Sequence, residues 1–133
     1  MVALTRESSL PAREDDAFPV AVHEQALHIA RHDLIFSLLE DLGAPLIARI
    51  TEESDGQTVA AWTRGASAPN ASQEQRLRAT YEIVQTLRAW ERPDTIRAWF
   101  AGANPELGDA SPTRVVARNP SAVLDAAYAF IAA

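Results

Sequence analysis

Beyond Val22 the apolar positions fall at steps of three and four residues. Leu27, Leu34, Ile35, Leu38, Leu39 and Leu42 make one stripe, which predicts a helix from about Val22 that Gly43 ends as a C-terminal cap. A short helix is expected next, from about Ala44 to Thr51. It has Pro45 in its first turn, where a missing N–H costs nothing, and Leu46, Ile47 and Ile50 as its apolar positions. Ser54 with Gln57 has the spacing of a capping box and predicts a further helix, running to about Arg64 and stopped by Gly65. Val59 and Trp62 are its inward pair.

The second half follows the same logic. Ser72 with Gln75 is a second capping-box pattern and is expected to open the longest helix, to about Trp90. Leu77, Tyr81, Val84, Leu87 and Trp90 are its apolar line and Ile83 widens it. Pro93 opens a helix carrying Ile96, Trp99 and Phe100, closed by Gly102. A loop from Ala101 to Pro112 is punctuated by Gly102, Asn104-Pro105, Gly108 and Ser111-Pro112. Pro112 then starts a short helix, Asn119-Pro120 breaks it, and Val123 to Ala132 forms the last. No segment alternates apolar and polar positions as a half-buried strand would. The expected fold is all-α.

Three parts are expected. Residues 1–22, with Pro11, Pro19 and mixed charges, read as a flexible or loosely packed arm. Residues 23–71 read as a helix-turn-helix-like unit, and residues 72–133 as a second helical unit. The chain has 133 residues, 47% of them apolar, enough for an ordinary core. Nothing approaches the roughly 18 consecutive apolar residues of a membrane span. There is no cysteine, which removes disulfides, thiolate metal sites and thiol nucleophiles together. A cytoplasmic protein is the expectation.

All twelve basic residues are arginine and the net charge is −6. Such a balance argues against a protein that coats nucleic acid, since phosphate neutralisation drives that binding. A small module with one basic face remains compatible, and so does an acidic face that meets a basic partner.

Two short helices joined by a tight turn and preceded by a third are how a recognition helix is held at the major groove. Ala48 would be the small residue at the crossing and Val59 the buried residue of the second helix. Gln57, Thr58, Ala61 and Arg64 would face outward to DNA, with glutamine suited to adenine and arginine to guanine. The same pattern also fits a helical hairpin that never touches DNA. Glu24, His28 and His32, four apart, could line one helix face. Such spacing is open to zinc, but a surface cluster of polar residues is the expected reading, with no metal and no cofactor. Trp62 and Trp90 are expected in the core. Trp99 and Phe100 are adjacent and point about 100° apart, so one of them is an interface candidate. No nucleophile elbow or Gly-rich phosphate loop is present, so there are no catalytic residues to name and no enzyme is expected.

The segment Arg76 to Ala133, above all Ala103-Asn104-Pro105-Glu106-Leu107-Gly108 with Ser111-Pro112, resembles the toxin-binding domain of Xre/MbcA/ParS-type antitoxins. Leu42-Gly43, Ala48-Arg49 and Val59 to Gly65 resemble the Xre-like helix-turn-helix that these proteins carry. The resemblance implies an inhibitor of a RES-domain toxin, an enzyme that consumes NAD. It also implies operator repression through the helix-turn-helix and a homodimer. Asn104, Pro105, Leu107 and Gly108 match the motif directly. Trp99, Arg114 and Phe130 join the partner-binding set by their nearness to it. A stand-alone helix-turn-helix regulator, using the C-terminal unit for dimerisation or another partner, is the competing expectation.

Overall fold

Local signals mark most helix ends in the computed structural model, which describes residues 13–133. The order is α1 (Arg13–His28), α2 (Arg31–Leu42), α3 (Ala44–Thr51), α4 (Gly56–Thr63), α5 (Ala71–Arg88), α6 (Pro93–Ala101), a single 3-10 turn (Pro105–Leu107), α7 (Pro112–Val115) and α8 (Pro120–Ala132). Among the described residues there is no strand, and the fold is all-α. None of these helices is long and apolar enough to cross a membrane.

Gly43 performs two tasks at one residue. With φ at 86° it takes a left-handed φ that side chains avoid, donates its N–H to Leu39 O at 3.0 Å, and passes the chain directly into α3. Pro45 lies in the first turn of α3 as expected, and Pro93, Pro112 and Pro120 open α6, α7 and α8 in the same way.

Several expected boundaries move. The helix placed from Val22 to Gly43 is two helices, and the first begins at Arg13, so residues 13–22 are helical; residues 1–12 lie outside the described residues. Pro19 sits inside α1, where it removes a donor at a cost of about 3 kcal/mol. Burial of Val22 and Ala26 against α5 works against that cost. Both capping boxes are shifted as well. Asp55, not Ser54, caps α4 by accepting from Gln57 N at 2.9 Å. Asn70, not Ser72, caps α5 in a reciprocal box with Gln73. The earlier start at Asn70 lets the buried Gln73 side chain reach Thr51 O at 3.2 Å, a tertiary bond that Ser72 and Gln75 cannot make from their positions.

Helix α5 is the axis of the bundle, packing against α1, α2, α3, α6 and α8. Leu77, Ile83, Val84 and Leu87 are essentially solvent-free, each stabilising the fold by about 1.5–3 kcal/mol. Thr80 and Thr86 are buried among them because each hydroxyl donates back to the carbonyl four residues earlier, both at 2.8 Å. All the buried apolar residues except Val22 and Ala126 form one cluster that draws on α1 to α6 and α8, with Val116 from the end of α7. Trp62 belongs to it, as expected. Trp90 does not: it is 67% exposed. The helical phase that would bury Trp90 ends with α5 at Arg88, and a turn swings the indole outward.

A candidate docking groove and its surroundings

The loop after α6 is organised by one side chain. Asn104 is buried, and its Oδ1 accepts from Glu106 N at 2.9 Å. Its backbone carbonyl accepts from Leu107 N and Asp109 N, both at 2.9 Å, and its N–H donates to Ala110 O at 3.1 Å. The segment from 104 to 110 is therefore a closed loop. Gly108 and Asp109 reverse the chain in consecutive left-handed conformations, φ 63° and 67°. Glycine adopts that conformation freely and aspartate tolerates it. Thr113, also buried, donates its hydroxyl to Phe100 O at 2.6 Å and ties α7 to the end of α6.

Against this loop lie α6 and α8. Phe100 is fully buried, and Trp99 packs edge-on against it with ring centroids 5.3 Å apart. Trp99 also meets Phe130 of α8 at 6.3 Å, and Phe130 is 38% exposed. Of the adjacent pair, Phe100 takes the core and Trp99 the rim. The Trp99 and Phe130 rings, Pro105, and the small residues Ala126 and Ala129 enclose a groove of about 350 Å³.

Four of the expected partner-binding residues, Trp99, Asn104, Pro105 and Phe130, thus come together at this groove. Asn104 belongs to its wall, though its amide is directed into the loop that it holds. Leu107 turns inward against the core and Gly108 is exposed at the tip. Arg114 faces elsewhere, into a hollow between α3 and α7. The alanines of α8 were legible only as an Ala-rich tail. The spacing of Ala126 and Ala129, continued by Ala133 just past the helix, was the signal for a smooth groove wall.

The α3–α4 pair packs closely, with Ala48 and Val59 both buried. A Cβ placed on Gly56 would sit 3.4 Å from Ala44 Cβ. Gln57 and Arg64 are exposed, whereas Thr58 and Ala61 are half-buried. Arg64 is the residue that ends α4.

The line of Glu24, His28 and His32 is broken. Glu24 and His28 remain within 3.5 Å on α1, but His32 falls on α2 beyond the break at Ile29-Ala30. His23 instead bonds Glu82 of α5 at 3.0 Å; that hydrogen bond and the carboxylate's charge raise its pKa above the usual imidazole value. Among the described residues, no three histidine or carboxylate side chains gather as a metal would need.

No family model, curated protein or solved structure matches the chain.

Proposed function

We propose that this chain is an inhibitor protein of the antitoxin type, docking through the Trp99–Phe130 groove onto a RES-domain toxin that consumes NAD. The carrying observation is the groove itself, two aromatic rings beside a loop already closed by Asn104. A surface fixed before binding loses little freedom on docking, and aromatic side chains are the usual anchors of such interfaces. The net charge of −6 favours fast encounter with a basic cleft. In the same proposal a homodimer contacts operator DNA through the α3–α4 pair, with Gln57 and Arg64 as its exposed readers.

The test is co-expression with a RES-domain toxin, read as growth rescue and co-purification. Phe130→Glu, at a partly exposed position, should abolish both while leaving the circular dichroism spectrum unchanged; Arg64→Ala should leave both intact. Full rescue by Phe130→Glu and by Trp99→Ala would remove the groove from the proposal.

The close α3–α4 packing also favours a second reading, a stand-alone regulator. It predicts sequence-specific duplex binding that Arg64→Ala weakens, with no toxin rescue at all.

A further inference from the structure

The hollow between α3 and α7 has a volume of about 670 Å³ and is lined by three arginines, Arg49, Arg114 and Arg118. All three are exposed, and none has a carboxylate partner among the described residues. Of the described arginine side chains outside the hollow, only the exposed Arg64 and Arg92 also stand without an acid. Arg31, Arg76, Arg78, Arg88 and Arg97 each hold an acid. The one carboxylate lining the hollow, Glu52, is shared with Arg76 at 3.6 Å.

Three guanidinium groups lining one hollow repel one another, and in a chain of net charge −6 that is not a by-product of general basicity. An anion in the hollow would offset the repulsion. Guanidinium forks bind carboxylate and phosphate oxygens two at a time, and a phosphate group has more oxygens to share among several forks than a carboxylate has. A volume of this size exceeds a single phosphate, and the three arginines come from α3, from α7 and from the turn that follows it. Ser111 adds a hydroxyl at the edge; its oxygen accepts from Arg114 N at 3.3 Å, leaving its hydrogen to donate. Thr113 is already committed to Phe100 O.

We propose that the α3–α7 hollow binds a ligand carrying two or more phosphate groups in a row, held by Arg49, Arg114 and Arg118. The phosphates belong to a nucleic-acid backbone or to a free polyphosphate such as a nucleotide's. This site is separate from the Trp99–Phe130 groove and does not depend on the antitoxin reading.

The experiment measures binding of the full chain to a labelled duplex of arbitrary sequence and, separately, to tripolyphosphate, at low salt. The triple variant R49A/R114A/R118A should weaken binding at least tenfold in whichever arm binds. Arg92→Ala, an exposed arginine outside the hollow, should stay within twofold of wild type. Three phosphate contacts predict about a 40-fold loss of duplex affinity between 50 and 200 mM salt, a dependence that the triple variant should lose. The triple lysine variant, which keeps the charge, guards against a folding defect and should retain part of the affinity. Duplex binding alone assigns the backbone; tripolyphosphate binding of equal or greater strength assigns a free polyphosphate. Absence of binding in both arms, or full affinity in the triple alanine variant, overturns the site. Toxin rescue is indifferent to either result.

Discussion

Arg78 donates to the carbonyl oxygen of Ile29 at 2.6 Å across 49 positions of sequence, and the same nitrogen reaches Ala26 O and Leu27 O. One guanidinium thus satisfies the carbonyls left without partners where α1 ends. Its other edge holds Glu74, which also binds Arg31 at the start of α2. The α1–α2 corner is therefore fastened to α5 by a single arginine and a single glutamate.

Arg78→Ala should cost about 1.5–3 kcal/mol, because several charge-assisted bonds are lost and the carbonyls are left unpaired. Urea denaturation would measure the loss, and hydrogen exchange should show α1 opening first. Arg78→Lys, with one compact charge, should recover only part. A loss within 0.5 kcal/mol would mean that water caps α1 equally well.

Glu74 is held below the usual carboxylate range by the hydrogen bonds from Arg31 and Arg78, which outweigh its partial burial. Its depressed folded pKa means that its contribution is complete above the unfolded value of about 4.3, and is lost as pH falls through the folded value. Glu74→Gln should flatten the acid side of the stability profile and leave its shape above pH 6 unaltered. An acid limb as steep as wild type would place the titration elsewhere.

Asp41 behaves in the opposite sense. Burial raises its pKa, against the pull of Arg88 at 3.3 Å and of Arg97. The folded protein therefore resists its ionisation, and Asp41→Asn should be neutral or stabilising at pH 7 by up to about 1 kcal/mol. Thermal melts at pH 7 and pH 4 would compare the two; destabilisation at pH 7 would show that the Arg88 pairing outweighs the burial.

Asn104→Ala should cost about 1–2 kcal/mol by removing the acceptor that starts the 3-10 turn, and Asn104→Asp, which keeps an acceptor, should cost less. Tryptophan emission reports the change locally, because Trp99 lines the same groove. Equal melting temperatures for wild type and the alanine variant would show that the backbone bonds alone close the loop.

Trp62→Ala should cost about 3–5 kcal/mol, as for other buried aromatics. Trp90→Ala should lie within about 0.5 kcal/mol, as surface changes do. A large cost at Trp90 in the monomer would contradict its exposed position.

The sequence by itself determined the all-α fold, the span of α3, the stops at Gly43 and Gly102, and the start of α7. Each depends on a proline, a glycine or a short apolar period whose effect is local, reaching only a turn along the chain. Only the tertiary structure decided that α1 and α2 part at Ile29-Ala30, because the group that stabilises the break, Arg78, arrives from α5. It also decided that Trp90 faces solvent, that Asn104 turns inward, and that Arg49, Arg114 and Arg118 share one hollow. Burial and charge pairing are set by which surfaces meet. Residues far apart in the chain become neighbours only after the helices pack, and no pattern of local spacing records that meeting.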